Sequence, residues 1–454
     1  MNDTIAAIST PYGEGGIGII RISGEGAKEV LDKIFVPVAI PENRKLTYGN
    51  VVDPDTGEHV DEVLAVFMKG PATYTCEDVA EINCHGSVIS LRKTLALCYA
   101  HGARPAEAGE FTKRAFLGGR LDLSQAEAVM DMISAKTPRT FDVAMGQLEG
   151  KLSAEIREIR ERILDILVNI TVNIDYPDED IEEIVYRQLE KDVMAVRESI
   201  SRLLDTADTG RIVREGLGVV IVGKPNVGKS SLMNALLRES RAIVTEIPGT
   251  TRDTIEETMN IRDIPVRLTD TAGIRDTEDT IEKIGIERSK SSFNRADLVV
   301  FMVDGSKELT PEDEEIIEAI EDKNGIVMIN KGDLGQVVSP EMLAERLPKS
   351  TIIEASIKEG RGIGELEDAI EALVYGGKTY QKESLMVTNA RHEDLLRRGL
   401  TAFDDALAMI RREEALDFVE VDVNTGYALL GEIIGETVGE DILDAVFSRF
   451  CLGK

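Results

Sequence analysis

The stretch GVVIVGKPNVGKSSLMNALL, residues 218–237, decides the fold of the middle of this 454-residue chain. It starts as a run of branched apolar residues, which is typical of a buried strand, and it ends in the apolar spacing of a helix. The loop between them reads G-x-x-x-x-G-K-S, in which glycines allow backbone N–H groups to surround phosphate oxygens. In such a loop Lys229 reaches the β and γ phosphates, and Ser230 offers its hydroxyl to Mg²⁺. Strand, loop and helix stand in the required order, so the stretch predicts a nucleoside-triphosphate site.

Short apolar runs separated by helical stretches surround and follow this loop. They occupy residues 219–222, 266–269, 298–303, 326–329 and 351–354. Alternation of this kind is typical of a parallel sheet that helices cover on both faces. The sequence therefore predicts an α/β domain with a parallel-rich sheet.

Two motifs that follow strands identify the base. Asp270 opens DTAG, where an aspartate helps to hold Mg²⁺ and Gly273 can sense the γ-phosphate. Asn330 opens NKGD, in which Asp333 can accept both N–H donors of a guanine edge, a pair that adenine cannot supply. Ser356 follows the next strand and fits the position that closes over the base. These elements, in this order, predict a Ras-like GTPase domain.

The residues that catalyse hydrolysis in many GTPases are different here. Where a glutamine often follows D-x-x-G to orient the attacking water, this chain has Ile274. The sequence assigns no arginine finger. Hydrolysis therefore needs another group to position water and another positive charge at the transition state.

Composition sets bounds on the whole chain. With 454 residues, 43% of them hydrophobic, it is expected to fold as about two to four globular domains. The formal net charge of −31 disfavours binding of bulk nucleic acid, because affinity for phosphate backbones comes from clustered Lys and Arg. The four cysteines have neither C-x-x-C nor zinc spacing, and we find no signal peptide and no long apolar run. These features predict a cytoplasmic protein without a membrane span.

The order of patterns along the chain predicts an insertion. Residues 1–118 mix short strand-like runs with a helical stretch at residues 88–100, as an α/β domain does. Residues 119–215 are predicted to be helical, with Ser124 and Glu127 as a capping box. Two apolar stripes of helical spacing flank the GTPase domain, which is assigned to residues 216–376. They are Leu152, Ile156, Ile159, Ile163, Ile166 and Ile170, and then Leu396, Leu400, Phe403, Leu407 and Ile410. Residues 377–454 are therefore predicted to complete the helical domain.

One glycine motif favours a structural interpretation. Gly13-x-Gly15-x-x-Gly18 fits a dinucleotide fingerprint, but it leads into a strand-like run and not into a helix. A glycine-rich turn is therefore preferred.

The last six residues, RFCLGK, have three alternative interpretations: a prenylation signal, a frayed tail or part of a site. Prenylation is disfavoured because Gly453 is not aliphatic and Lys454 is an unusual last residue for that signal. A frayed tail is disfavoured because Phe450 and Leu452 are apolar and follow a helical run at residues 441–447.

Taken together, these residues resemble the MnmE (TrmE) family of tRNA-modification GTPases, within the TrmE-Era-EngA-YihA-Septin-like superfamily. The resemblance covers the whole chain, and its blocks are DTIAAISTPYGEGGIGIIRISG, CEDVAEINCHG, GEFTKRAFLGGRLDLSQAEA, GKPNVGKSS, IPGTTRDT, DTAGIRDTEDTIEKIGIERS and FCLGK. The GTPase motifs occur in many proteins, whereas the N-terminal blocks and FCLGK are specific to this family. NKGD and the sequence Ala355-Ser356-Ile357-Lys358 depart slightly from the usual base-binding motifs.

The resemblance implies that K⁺-dependent dimerisation of the GTPase domains activates hydrolysis. Thr251 matches the threonine that joins Ser230 on Mg²⁺, and Glu282 matches the catalytic glutamate that orients water. The positions that match K⁺ ligands are Asn226, Thr245, Ile247 and Thr250. The expected GTP or GDP contacts are Asn226, Val227, Gly228, Lys229, Ser230, Ser231, Thr245, Glu246, Ile247, Pro248, Gly249, Thr250, Thr251, Asp270, Thr271, Ala272, Gly273, Asn330, Lys331, Asp333 and Ser356.

The resemblance also implies a folate site in the N-terminal domain, for 5-formyl-tetrahydrofolate or a related folate. Arg21, Arg120 and Lys454 suit the anionic glutamate tail, and Glu81 can accept hydrogen bonds from the pterin ring. Cys451 is then either a reactive thiol beside Lys454 or only a small buried side chain.

The implied partners are a second copy of the chain, bound through the N-terminal domain, and the FAD-dependent protein MnmG in a heterotetramer. The pair would add a carboxymethylaminomethyl or aminomethyl group to C5 of the wobble uridine of certain tRNAs, with much of the tRNA contacting the partner. The alternative is a switch GTPase of the same superfamily that regulates ribosome assembly or transport. Such a protein would share the GTPase motifs but not the folate-type N-terminal blocks or FCLGK.

Overall fold

The computed structural model describes residues 3–175, 182–239, 256–270, 296–321, 323, 325–376 and 385–454. The chain divides into two compact units, each made of separated stretches of sequence. Unit 1 contains residues 1–130, 147–177 and 416–454, and unit 2 contains residues 131–146 and 178–415. No helix among the described residues is long and apolar enough to cross a bilayer.

Unit 1 is built on a seven-stranded sheet with the order β3-β4-β5-β6-β2-β1-β7. Neighbouring strands are antiparallel except for β1 and β7, which are parallel. The strands are β1 (Ile5–Ile8), β2 (Gly15–Ser23), β3 (Phe35–Pro37), β4 (Thr47–Val52), β5 (His59–Met68), β6 (Val79–Gly86) and β7 (Arg104–Pro105). The predicted strands at the N-terminus are confirmed, and β2 begins within the glycine motif as a strand.

Alternation along β2 and β6 gives the sheet a core face and a polar face. Ile20 and Ile22 are fully buried against α1 (Ala27–Ile34) and α2 (Val88–Ala100), as is Ile82 on β6. Arg21 pairs in register with Glu81 on the opposite face. Because side chains alternate along strands, the same two strands fill the core and present charges.

Helices complete unit 1. They are α3 (Glu110–Leu117), α4 (Leu123–Ser134), α6 (Lys151–Asp175), α14 (Leu416–Ile434) and α15 (Glu440–Phe447). Only residues 123–130 of α4 lie in this unit, and α5 (Pro138–Leu148) lies largely in unit 2. The stripe predicted on α6 is confirmed, since all six of its residues are buried. Helix α6 packs against α14. Helix α15 includes residues 441–447, so the last predicted helical run is confirmed.

The predicted capping box of α4 is wrong by two residues. Asp122 Oδ1 accepts from the backbone N–H of Gln125 at 3.0 Å, and Gln125 Oε1 accepts from the N–H of Asp122 at 2.9 Å. Ser124 is instead buried and shares a hydrogen bond with Ser153. Asp122 and Gln125 fit the same reciprocal pattern that Ser124 and Glu127 fit, and the helix begins early enough for the first pair to cap it.

Unit 2 is built on a six-stranded sheet with the order β13-β12-β11-β8-β10-β9. All neighbours are parallel except β9, which runs antiparallel to β10. The strands are β8 (Leu217–Val222), β9 (Glu256–Ile261), β10 (Ile264–Asp270), β11 (Leu298–Asp304), β12 (Gly325–Asn330) and β13 (Ser350–Glu354). The five predicted strands are confirmed, and β9 is the strand that the apolar pattern missed.

Both faces of this sheet are buried, as the parallel-sheet prediction requires. Val300 and Met302 face one core, and Val299, Phe301 and Val303 face the other. The remaining helices of unit 2 are α7 (Glu182–Leu204), α8 (Ala207–Glu215), α9 (Lys229–Glu239), α10 (Pro311–Ile320), α11 (Pro340–Arg346), α12 (Ile363–Tyr375) and α13 (Ala390–Arg411).

Helices α7 and α13 pack against each other within unit 2. Four residues of the stripe predicted on α13 are buried and Leu400 is half-buried, so the prediction of an amphipathic helix is confirmed. On the exposed sides of the two helices, Arg197 Nε and Asp404 Oδ1 form an ion pair at 2.5 Å.

Candidate nucleotide and folate sites

The phosphate loop lies between the end of β8 and the start of α9. Gly223 and Gly228 have φ angles of +148° and +112°, which side-chain-bearing residues rarely adopt. A Cβ atom at Gly228 would lie 2.3 Å from Asn330 Nδ2, and one at Gly223 would lie 2.4 Å from the Met302 carbonyl oxygen. Both glycines are therefore required by backbone shape and by close packing.

The side chains of the loop are arranged around its carbonyl groups. The Lys229 ammonium donates to the carbonyl oxygens of Gly223 at 2.6 Å and of Lys224 at 2.8 Å. Asn226 is exposed and has a left-handed φ of +63°. Ser230 and Ser231, in the first turn of α9, are also exposed. The loop thus combines a lysine ammonium, exposed hydroxyl residues and the N-terminus of a helix, the groups that bind phosphate in loops of this kind.

Asn330 joins the base-binding loop to the phosphate loop. Its Nδ2 donates to the Val227 carbonyl oxygen at 2.7 Å, and its Oδ1 accepts from the N–H of Ile357 at 3.1 Å. The residue is only 4% exposed, so both ends of its amide are satisfied inside the protein. This position of the NKGD motif thereby holds three loops together.

Asp333 and Ser356, predicted to read and close over the base, are brought together. Ser356 Oγ donates to Asp333 Oδ1 at 3.0 Å, and Lys358 Nζ lies 4.0 Å from Asp333 Oδ2. Lys331 has a left-handed φ of +67°, and its ammonium lies 2.7 Å from Asp304 Oδ2. One carboxylate, with acceptor capacity beyond these contacts, suits the two adjacent N–H donors of guanine.

Several predicted residues lie outside the described residues. They are Thr245, Glu246, Ile247, Pro248, Gly249, Thr250, Thr251, Thr271, Ala272, Gly273 and Glu282. The backbone of Asp270 is described, and it pairs in register with Ile221 at the carboxyl ends of β10 and β8. Ser230 follows the same end of β8, so a hydroxyl and an aspartate share one edge of the sheet. Hard oxygen donors of this kind fit Mg²⁺.

Two of the predicted folate residues of unit 1, Arg21 and Arg120, lie beside the aromatic ring of Tyr74. Arg21 Nε donates to Glu81 Oε1 at 2.8 Å, and its guanidinium lies 5.2 Å from the centre of the Tyr74 ring. The Arg120 guanidinium lies 4.7 Å from the same ring centre, and its Nη1 donates to the Tyr74 carbonyl oxygen at 3.0 Å. Arg21 Nη1 is buried and makes no hydrogen bond among the described residues. A buried donor without a partner is what an anionic or carbonyl ligand would satisfy.

Lys454 shares this charged environment. Burial lowers the pKa of Lys454, and the positive charge of Arg21 lowers it further, while the negative charge of Glu81 opposes the shift. Gly453, next to it, accepts a hydrogen bond from Ser9 Oγ at 3.2 Å through its carbonyl oxygen. The last residues therefore lie against the start of the chain, and not in a frayed tail.

An open cavity of about 660 Å³ adjoins Arg120. Met68, Pro71, Tyr74 and Cys76 are among its other lining residues, and none of its lining residues is acidic. In a chain of this negative charge, a cavity with one arginine and no carboxylate favours an anionic ligand.

Cys451 is exposed, so the interpretation of a buried small side chain is wrong. Its carbonyl oxygen accepts from the N–H of Gly109 at 3.5 Å, while the neighbouring Phe450 is buried against Phe447. The thiol is thus solvent-accessible on a backbone that is held in place.

Comparison with known proteins is consistent across the full length. A family model described as the MnmE helical domain matches residues 123–451, and one described as the GTP-binding protein TrmE N-terminus matches residues 4–120. The tRNA modification GTPase MnmE of Alkaliphilus metalliredigens is 53% identical over 459 residues, which is 100% of both chains. That of Alkaliphilus oremlandii is 55% identical, again over 100% of both chains.

This chain belongs to the MnmE family. Membership confirms the resemblance found in the sequence and the prediction of an enzyme that hydrolyses GTP. Among solved structures, an Era variant of Aquifex aeolicus bound to GDP and AlF₄⁻ is 30% identical. That match covers 40% of this chain and 65% of the other, with a TM-score of 0.28.

Within this MnmE-family chain, sequence reasoning missed Tyr74 and Phe111. The Arg21 guanidinium lies 5.8 Å from the Phe111 ring centre as well as near Tyr74, so two aromatic rings lie beside this predicted folate-binding residue. Tyr74 stands two residues before the CEDVAEINCHG block. An aromatic residue beside a specific block was the available signal.

Proposed function

We propose that this chain hydrolyses GTP as part of a reaction that modifies C5 of the wobble uridine in certain tRNAs. The product would carry a carboxymethylaminomethyl or aminomethyl group. The observation that carries the proposal is the joining of the phosphate loop to NKGD through Asn330, beside the Asp333–Ser356 pair. This arrangement suits a guanine nucleotide, and the named relatives are tRNA modification GTPases.

In this proposal the residues of unit 2 bind and orient the triphosphate. Gly228 and the N-terminus of α9 present N–H groups to the phosphates, and the Lys229 ammonium exchanges the carbonyl oxygens of Gly223 and Lys224 for phosphate oxygens. Ser230 and Thr251 would hold Mg²⁺, which neutralises the charge that develops on the phosphates. Glu282 would orient the attacking water in the absence of a glutamine after DTAG.

We further propose that K⁺ supplies the charge that an arginine finger supplies in other GTPases. Asn226, exposed in a left-handed conformation, would be one ligand, together with Thr245, Ile247 and Thr250. The rate of GTP hydrolysis is measured in K⁺ and in Na⁺ at equal ionic strength. A sharp rise in K⁺ supports the assignment, and equal rates contradict it.

For unit 1 we propose a site for 5-formyl-tetrahydrofolate or a related folate. Glu81 would accept hydrogen bonds from the pterin N–H donors, while Arg21, Arg120 and Lys454 would bind the anionic end. The buried Nη1 of Arg21, which has no hydrogen-bond partner among the described residues, would donate a hydrogen bond to the ligand. Isothermal titration with 5-formyl-tetrahydrofolate tests this, with Glu81→Gln and a chain lacking Lys454 as variants. Undiminished binding in both would contradict the proposal.

The proposed assembly is a homodimer that works in the cytoplasm with an FAD-dependent MnmG partner, which carries much of the tRNA-binding surface. The net charge of −31 supports this division of labour. The affinity for tRNA of this chain alone and of the pair is compared across salt concentrations. Tight, salt-sensitive binding by this chain alone would contradict it.

The decisive experiment for the whole function is analysis of tRNA nucleosides from cells that lack this protein. Loss of the C5 modification of the wobble uridine is the expected result. Normal modification with defective ribosome assembly or transport would favour the alternative of a switch GTPase.

A further inference from the structure

Residues 304–313 lie outside every nucleotide-binding motif, yet they make ion pairs with two of them. We call this stretch, from Asp304 at the end of β11 to Asp313 in the first turn of α10, the brace segment. Its two aspartates pair with lysines from opposite ends of the nucleotide site.

At the base end the partner is Lys331 of NKGD. The Lys331 ammonium lies 2.7 Å from Asp304 Oδ2, and Asp304 Oδ1 accepts from the N–H of Ser306 at 3.1 Å and from its hydroxyl at 2.6 Å. Burial opposes ionisation of Asp304, but the hydrogen bonds from Lys331 and Ser306 outweigh it and lower the pKa of this carboxyl. The lysine of the base motif is thus held by a charged, nearly buried acceptor.

At the phosphate end the partner is Lys224, the residue after the first glycine of the phosphate loop. Its ammonium lies 2.5 Å from Asp313 Oδ2 and 2.8 Å from Thr310 Oγ1. The Asp313 side chain is 1% exposed, and it also closes a capping box with Thr310. The carbonyl oxygen of Lys224 accepts a hydrogen bond from the Lys229 ammonium. The ion pair therefore fixes the peptide group that holds the phosphate-binding lysine.

The brace segment is itself fixed between the two ends. The N–H of Gly305 donates to the Asn330 carbonyl oxygen at 2.8 Å, and a Cβ at Gly305 would lie 2.6 Å from Ile329 Cγ2. Asn330 in turn donates to Val227 in the phosphate loop. A displacement at either aspartate would therefore be transmitted to the loops that bind nucleotide.

We propose that the brace segment sets the affinity for guanine nucleotides by pre-positioning both halves of the site, with Asp304 and Asp313 as positioning residues. The inference rests on the proposed guanine-nucleotide site of unit 2. Its physical basis is that a site already in its bound shape loses less ordering free energy on binding. Removing one member of a nearly buried ion pair leaves a charge that must move to find water.

The phosphate end is tested with Asp313→Asn, Lys224→Met and the double variant. Asparagine keeps an acceptor for Thr310 and removes the charge that holds Lys224. Each single change is expected to weaken GDP and GTP binding about tenfold, and the double variant to be no weaker than either single variant, because the two residues act as one pair. GMP, with a single phosphate, should be weakened less than GDP. Lys224→Arg, which keeps the positive charge that pairs with Asp313, should retain most of the affinity that Lys224→Met loses.

The base end is tested with Asp304→Asn, which keeps the contacts to Ser306 and weakens the hold on Lys331. Here GMP, GDP and GTP should all lose affinity by the same factor, about tenfold. Glu308→Gln, an exposed carboxylate in the same segment, is the matched control and should bind as the unaltered chain does. The rate of hydrolysis at saturating GTP should change less than the Michaelis constant, as expected when binding geometry is lost.

Three outcomes would overturn the proposal. They are unchanged affinity in the aspartate variants, tighter binding in Asp313→Asn because the freed Lys224 reaches phosphate, and multiplicative losses in the double variant. Thermal unfolding without nucleotide identifies variants that fail to fold. Those are replaced by Lys224→Gln, which removes the charge of the pair, and by Asp304→Glu, which displaces the carboxylate from Lys331, and both should weaken GDP binding. If the unaltered chain binds no guanine nucleotide, the proposed function fails, and that result is distinguishable from all of these.

Discussion

In the proposed nucleotide site, one side chain, that of Asp333, should determine which base is bound. Its carboxylate lies beside Ser356 Oγ and presents only acceptors when ionised. Guanine offers two adjacent N–H donors, whereas xanthine offers one donor beside a carbonyl group. In the proposed site, the choice between these two bases should therefore depend on the Asp333 carboxylate and not on the size of the pocket.

Changing Asp333→Asn should exchange this preference. The amide places a donor where the carboxylate had an acceptor, so GTP affinity should fall by about 100-fold or more while xanthosine triphosphate gains. Competition binding with the two nucleotides measures the exchange. Glu359→Gln, an exposed acid nearby, should leave both affinities unchanged. Equal losses for both nucleotides would contradict the role of Asp333 in reading the base.

Lys454 gives the proposed folate site a pH dependence. Burial, reinforced by the charge of Arg21, lowers the pKa of Lys454 below the ordinary lysine value of about 10.4. Affinity for an anionic folate is complete below the lowered pKa and is lost as pH rises through it. The stability of the free protein changes with pH in the opposite direction. Folding favours the neutral amine, so the free energy of unfolding rises as the pH increases from the lowered pKa to the ordinary one.

The test is folate affinity measured by fluorescence from neutral pH upward. Lys454→Arg should remove the alkaline decline, because a guanidinium stays charged throughout this range. Lys93→Arg, which changes an exposed lysine on α2 in the same way, should leave the curve in place. A decline that persists in Lys454→Arg would assign the titration to another group.

At the scale of elements, the phosphate loop and the paired helices depend on close packing of different kinds. The loop has no room for a Cβ atom at Gly228, because Asn330 Nδ2 occupies that space. Helix α6 needs large apolar side chains at its buried stripe, where Ile163 is fully buried. One element is damaged by an added atom, and the other by removed atoms.

Gly228→Ala should abolish measurable GTP binding and destabilise unit 2 by about 2 kcal/mol or more, since both the φ of +112° and the contact to Asn330 are violated. Nucleotide titration and thermal unfolding measure the two effects. Gly364→Ala, in the first turn of α12 with nothing near its added Cβ, should be neutral or stabilise by up to about 1 kcal/mol. Similar behaviour of the two variants would show that packing at Gly228 is unimportant.

Ile163→Ala on α6 should lower the free energy of unfolding by about 2–5 kcal/mol, because it leaves a cavity in the packing against α14. Val168→Ala on the same helix, 54% exposed, should change it by no more than about 0.5 kcal/mol. Denaturant titration of both variants decides, and a large loss at Val168 would mean that another surface covers it.

At the scale of the whole molecule, sequence predicted what depends on local pattern. The five parallel strands of unit 2 could be predicted because doubly buried strands are almost uniformly apolar. Strand β11, for example, is buried at all seven positions and apolar at the first six. Strand β9, with the sequence EETMNI, lacks that pattern and pairs only at the sheet edge, so it was missed. The cap of α4 was misplaced because Asp122 and Ser124 both start a valid capping pattern.

Contacts between distant parts of the sequence could not be predicted from spacing. The grouping of Arg21, Tyr74 and Arg120 depends on how β2 and the loops around it come together. The Lys224–Asp313 pair joins residues whose separation has no helical or strand period. Resemblance to a family suggested some of these residues, but the rings and the brace segment became visible only in three dimensions.

Gly453 packs against Ile8 and Ser9, so a substitution there should change the stability of unit 1 as a whole. Its φ is +89°, and a Cβ there would lie 2.3 Å from the Ile8 carbonyl oxygen. Gly453→Ala should therefore lower the midpoint of thermal unfolding and weaken folate binding, while the affinity of unit 2 for GDP stays the same. Leu452→Ala, at a residue 65% exposed, should show neither effect. Intact folate binding in Gly453→Ala would separate the tail from the site.

The same contact has a consequence for the chain during its synthesis. Ser9 leaves the ribosome 444 residues before its partner Gly453, which follows only after all of unit 2 has emerged. Until then, the end of strand β1 and the surface around Arg21 lack their contacts with the C-terminal residues. A chaperone that binds nascent chains would find its substrate there, and unit 1 should be the last part of the molecule to resist a protease during translation.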